Sequence, residues 1–187
     1  MRPVTVRPIS TKPILAALLL VLTASAARAA PPEPGDYRQE DYRSPTPATL
    51  RGAETIATPQ AERLWRAGVA FIDVMPRPPR PVALPPGTIW RDAPHDSIPR
   101  AQWLPNTGFG ALAPQTEEYF RHGLAAATGG NVEKPVVLFC QRNCWMSWNA
   151  ARRAVSLGYR HVHWYPDGTD GWAEAGLPLE RLSPAAP

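Results

Sequence analysis

Cys140 and Cys144 are the two cysteines of this 187-residue chain, separated by Gln141, Arg142 and Asn143. The thiolate is the nucleophilic form of cysteine, so their chemistry turns on what favours that charge. Pro135-Val-Val-Leu-Phe139 runs straight into Cys140 and reads as a buried parallel strand ending at a reactive loop. Ser147 then opens a run of good helix formers that stops at Gly158, which predicts Ser147 as N-cap and Gly158 as the residue after the helix. The loop is therefore held between a strand and a helix N-terminus, whose free N–H groups and dipole favour an anion. With Arg142 beside it, the Cys140 thiolate is expected to be favoured. Gln141, Arg142, Asn143, Trp145, Met146 and Ser147 are the residues expected to contact substrate. The competing use of the pair is a small disulfide staple, although a loop of about five residues contributes only ~2 kcal/mol of chain-entropy stabilisation.

The elements that position this loop follow from punctuation and periodicity. Thr58-Pro59 starts a helix that Gly68 ends, with Ala61, Leu64 and Trp65 at helical spacing. Residues 69–74 form a buried strand ending near Asp73, which can orient a loop or cap a helix. Residues 75–86 hold six prolines in twelve positions and predict a stiff surface loop. A second helix fits residues 116–126, with Glu117 and Glu118 in its first turn. The strand into Cys140, the helix after Ser147 and a last strand over 161–165 complete the order. Strand and helix alternate, so a single α/β domain with a parallel sheet covered on both faces is predicted. His161 and His163 share one side of the last strand and, with the cysteines, could bind copper or zinc; the expectation adopted is no metal and no cofactor. Trp148, Trp164 and Trp172 are assigned to the core, and Trp145 to a pocket wall.

The termini set the compartment. Arg2, Arg7 and Lys12 precede an apolar run from Ile14 to Leu22, and Ala27-Arg28-Ala29 places small residues at cleavage-determining positions, so residues 1–29 read as a secretory signal peptide and the mature protein as periplasmic. The apolar run is shorter than the roughly 20 residues that span a bilayer, so no stable membrane span is expected. The formal charge of +4 resides in the four basic residues of the leader. A nearly neutral mature product lacks the basic stripe that nucleic acid requires. Residues 30–48 are proline-rich and carry Asp-Tyr-Arg twice, at 36–38 and 41–43. They predict an extended arm, either an exposed linker or a segment packed down by its two tyrosines. The folded domain is placed at 49–182 and a tail at 183–187.

Several of these residues carry a resemblance. Asp73-Val74, Ser97-Ile98-Pro99-Arg100-Ala101 before Leu104-Pro105, the strand and loop at Cys140, Leu157-Gly158-Tyr159 and Asp170-Gly171-Trp172 resemble a rhodanese-type domain in their order. The doubled Asp-Tyr-Arg, Leu104-Pro105-Asn106-Thr107-Gly108 and Cys144-Trp145-Met146-Ser147-Trp148-Asn149-Ala150-Ala151 resemble, more narrowly, the exported CXXCW-motif proteins associated with pyrroloquinoline-quinone-dependent catabolism. The resemblance implies a rhodanese-like fold with Cys140 as the persulfide-forming nucleophile. Cys144 lies inside the loop, where it could resolve that intermediate, and Trp145 falls where the loop-closing basic residue of the family is expected. The implied function is sulfur transfer or thiol–disulfide redox chemistry on a sulfane-sulfur or thiol substrate, with a periplasmic thiol reductant, in support of a quinone-dependent oxidation pathway. The alternative is a non-catalytic maturation or docking factor for an exported quinoprotein dehydrogenase, its cysteines merely paired.

Overall fold

The computed structural model describes residues 30–89 and 93–186; the expected leader lies outside them. Three buried four-residue strands form the centre of the sheet: β2 (Ala70–Asp73), β5 (Val136–Phe139) and β6 (Val162–Tyr165), with two-residue strands β1 (Glu54–Thr55) and β4 (Gln102–Trp103) at the edges. The order is β1-β6-β5-β2-β4 and every pairing is parallel. Asp73, Trp103, Phe139 and Tyr165 stand level with one another at the carboxyl ends of their strands. Cys140 thus leaves the middle of the row that, in open parallel sheets, faces the ligand crevice.

The alternation of side chains along the strands divides the interior in two. Ile72, Val136, Leu138, Val162 and Trp164 pack on one face with Phe120 and Leu124 of α2 (Pro114–Thr128) and with Trp148, Ala150, Ala151 and Ala154 of α3 (Trp145–Ser156). Phe71, Val137, Phe139 and Tyr165 pack on the other with Ala61 of α1 (Thr58–Arg66) and Trp172 of α4 (Gly168–Glu174). Each of these large apolar side chains stabilises the fold by about 1.5–3 kcal/mol relative to exposure. The predicted α/β arrangement, a parallel sheet with helices on both faces, is present. An addition to it is a two-stranded antiparallel sheet of β3 (His95–Ser97) and β7 (Glu180–Leu182).

Local chemistry explains where the boundaries moved. Pro114 occupies the first turn of α2, which therefore begins before residue 116, and Gly129, with φ +66°, ends it. The N-cap of α3 is Cys144, not Ser147. Ser147 is inside the first turn, where its hydroxyl donates to the Cys144 carbonyl at 3.1 Å and accepts from Trp164 Nε1 at 3.1 Å. Gly158 follows the helix as expected, with φ +93°. Among the described residues, no helix is long and apolar enough to cross a membrane.

The arm lies against the domain. Asn149, fully buried on α3, exchanges two 2.9 Å hydrogen bonds with the backbone of Arg38 and donates a third to Gly108 O. Arg152 donates to the carbonyls of Pro34 and Gly35. Buried Arg153 donates to those of Thr107, Phe109 and Gly110, and its guanidinium lies 4.6 Å from the Tyr37 ring centroid. Tyr42 meets Phe109 edge-on and accepts from Gly110 N. Gly110 itself must be glycine, because a Cβ there would overlap the Arg38 carbonyl. The two tyrosines therefore pack the segment down, and it is not an exposed linker. Asn149→Ala strands three backbone groups at once, at a cost on the order of 2–3 kcal/mol. Its expected outcome is a lower denaturation midpoint with faster proteolysis confined to residues 30–48.

Candidate active site

Cys140 follows the last residue of β5 and Cys144 caps α3, so the three-residue excursion between them returns one sulfur to the other. Their Sγ atoms are 2.7 Å apart, and both side chains are buried. The turn depends on two backbone features. Asn143 adopts φ +56°, a left-handed conformation that asparagine tolerates better than most residues. Gly168, with φ +50°, lets the chain after β6 press against the loop, since a Cβ there would overlap the Cys140 carbonyl. That carbonyl accepts from Thr169 N at 3.0 Å.

The electrostatics separate the two thiols. Burial, the hydrogen bond to Cys144, and the nearby charges of Cys144 and Asp73 push the Cys140 thiol well above its ordinary value. Cys144 is brought down to about 7, first by the hydrogen bond from Cys140, then by the N–H of Met146, the charge of Arg43 and the N–H of Gln141, against the opposing effect of burial. The favoured thiolate is therefore Cys144, and the expectation of a favoured Cys140 thiolate is corrected. Physically, the helix N-terminus aims its free donors at its own cap residue rather than at the end of the strand.

Arg142 also differs from expectation. Its guanidinium forms a fork with Glu174 at 2.5 and 2.7 Å and donates to Asp167 at 3.1 Å, while its N–H donates to Asp170 at 3.2 Å. These carboxylates hold it firmly charged and tie the loop to α4. The cation that acts on Cys144 is Arg43 of the arm, whose backbone bridges Cys144 and whose guanidinium donates to Arg142 O at 3.3 Å. Trp145 is buried beneath the arm, where its N–H donates to Tyr42 O at 2.9 Å and its indole Nε1 donates to Ser44 Oγ and Pro45 O. Met146 is buried with its backbone against Gly108, and Asn143 is exposed at the turn. Gln141 points its amide toward Met75 Sδ at 3.5 Å.

Sequence reasoning missed two contributors, Met75 and Arg43, and gave Asp73 only a loop-orienting or helix-capping role. Met75 places its Sδ 3.4 Å from Cys140 Sγ. Asp73, fully buried, accepts from Met75 N at 2.8 Å through Oδ1, while its Oδ2 meets Ser97 Oγ at 2.5 Å and His95 Nε2 at 2.7 Å. The available signals were the position of Met75 directly after the Asp73-Val74 strand end and the basic residue of the second Asp-Tyr-Arg. The histidines were misplaced by the sequence. His163 pairs beside Val137, with Nδ1 3.0 Å from Glu54 Oε2, on the α1 side of the sheet. His161 lies before β6 and faces Glu133. Neither joins the cysteines, and among the described residues no three His, Cys, Asp or Glu side chains gather to hold a metal.

After reduction, alkylation followed by mass spectrometry at a series of pH values is expected to label Cys144 with an apparent midpoint of about 7 and to leave Cys140 lagging. A cation favours the thiolate, so Arg43→Ala is expected to move the Cys144 midpoint upward.

No family model and no curated protein sequence matches the chain. Among solved structures, it is similar to a 30 kDa polysulfide-sulfur transferase homodimer from Wolinella succinogenes determined in solution, with 18% identity and a TM-score of 0.45 over 69% of this chain and 79% of the other.

Proposed function

We propose that this chain is an exported rhodanese-like thiol protein that carries out sulfur transfer or thiol–disulfide exchange at Cys140 and Cys144. The observation that carries this is the buried sulfur pair, 2.7 Å apart at the carboxyl end of the central strand and the start of α3. In its support, the residues that carry the rhodanese-like resemblance lie at the ends and junctions of elements: Asp73 ends β2, residues 97–101 lead from β3 into β4, and Leu157-Gly158-Tyr159 follows α3.

The chemistry is a two-electron exchange. The Cys144 thiolate attacks a sulfane sulfur or disulfide, a new S–S bond forms on Cys144, and the donor's S–S bond breaks with its electron pair leaving on the departing thiolate. Cys140, once deprotonated, attacks Cys144 Sγ, closes the Cys140–Cys144 disulfide and expels the carried group as a thiol or hydrosulfide. Substrate is reduced by two electrons and the pair is oxidised by two, so a periplasmic thiol reductant must restore it. This order exchanges the roles that the sequence suggested, with Cys144 as nucleophile and Cys140 as resolving thiol. Both sulfurs are buried, so substrate reaches them only after the arm or the Met75 segment moves aside.

That burial favours a second reading, in which the disulfide is structural and the protein is a maturation or docking factor for an exported quinoprotein dehydrogenase. Resistance of the disulfide to mild reductant selects it. For the first reading, Cys140→Ser is expected to accumulate a persulfide or mixed disulfide on Cys144, visible by intact mass, whereas Cys144→Ser loses exchange. Full exchange activity in Cys144→Ser would overturn the assignment. Wild-type exchange rates are expected to rise with pH through about 7, because only the thiolate attacks.

A further inference from the structure

The backbone of Met75 is held from both sides. Its N–H donates to Asp73 Oδ1 at 2.8 Å, its carbonyl accepts from Trp103 Nε1 at 2.8 Å, and the preceding Val74 N donates to Phe139 O at 3.0 Å. The backbone is thus pinned on both sides of the residue, level with the end of β5. The result is a thioether sulfur 3.4 Å from Cys140 Sγ, which is itself 2.7 Å from Cys144 Sγ. Three sulfur atoms, two from the Cys140–Cys144 loop and one from the segment after β2, converge where the cysteines are buried and Met75 is partly buried. A hydrophobic cover for the cysteines could be any apolar side chain; a third soft donor has to be methionine or cysteine.

The surroundings restrict what such a cluster could hold. Both oxygens of Asp73, the nearest carboxylate to act on Cys140, are occupied by Met75 N, Ser97 and His95. His163 is on the opposite face of the sheet and His161 is outside the strand. The donors left are two thiols and a thioether. Zinc takes thiolate, imidazole and carboxylate, usually four of them, and a site with sulfur alone in low number suits Cu(I). The choice of ion therefore rests on the soft, low-number sulfur donor set, while any cation bonded to both sulfurs offsets the mutual repulsion of two adjacent thiolates.

We infer that Cys140, Cys144 and Met75 form a binding site for Cu(I), with two thiolates and one thioether as ligands. The site needs only the reduced pair, so it stands or falls independently of sulfur transfer.

The test is anaerobic titration of the reduced full-length protein with Cu(I) in competition with bicinchoninate, followed by sulfur-coordination analysis from X-ray absorption. The wild type is expected to retain one Cu(I) with three sulfur neighbours. Met75→Leu, which nearly conserves volume, is expected to retain the ion with two sulfur neighbours and to bind it on the order of tenfold more weakly. Cys144→Ser is expected to lose it to the chelator. Equal affinity and sulfur count in wild type and Met75→Leu would remove the thioether and overturn the site, as would failure of the wild type to compete, or a stronger preference for Zn(II). Unchanged circular dichroism of the Met75→Leu protein separates loss of a ligand from loss of the fold.

Discussion

Two thiols buried side by side cannot both carry charge, and most of the site is arranged around which one does. The end of a parallel strand offers Cys140 apolar neighbours and a nearby carboxylate, which oppose ionisation. The start of α3 offers Cys144 backbone donors and the charge of Arg43, which favour it. These surroundings raise the Cys140 thiol and lower that of Cys144, and the hydrogen bond between the sulfurs adds to the difference. The loop geometry, the left-handed Asn143 and the glycine at 168 bring these two unequal environments within bonding distance.

Much of the frame was legible in the sequence because it rests on strong local signals. Continuous apolar runs identified the central strands, and Pro59 with Gly68 bracketed α1. The weaker elements left no such trace. β1 and β4 are two residues long, too short for any periodicity, and α4 contains two glycines, so its helix depends on burying Trp172 rather than on propensity. Ser147 looked like a cap because serine usually is one, but a hydroxyl in the first turn can equally turn inward to a buried indole.

The site was legible in composition and not in partnership. Cys140 and Cys144 could be named from the chain alone, but the allegiance of Arg142 was settled by Asp167 and Glu174, which lie 25 and 32 residues further on. Nothing in local spacing reports such a choice. The same holds for Arg43, about a hundred residues before the sulfur it acts on, and for Met75, which reaches Cys140 only because β2 and β5 are neighbours in the sheet. Long-range pairing decided these roles.

The packed arm also has a consequence for how the molecule comes together. Its contacts with α3 join residues more than a hundred positions apart, as in the pairing of Arg38 with Asn149, so their loop-closure entropy must be met before the contacts are gained. Without the arm, the Trp145 N–H and indole N–H at the start of α3 lose their partners at Tyr42, Ser44 and Pro45. The helix start that carries Cys144 is thus completed by residues about a hundred positions earlier in the chain, so a change in the arm is felt at the sulfur.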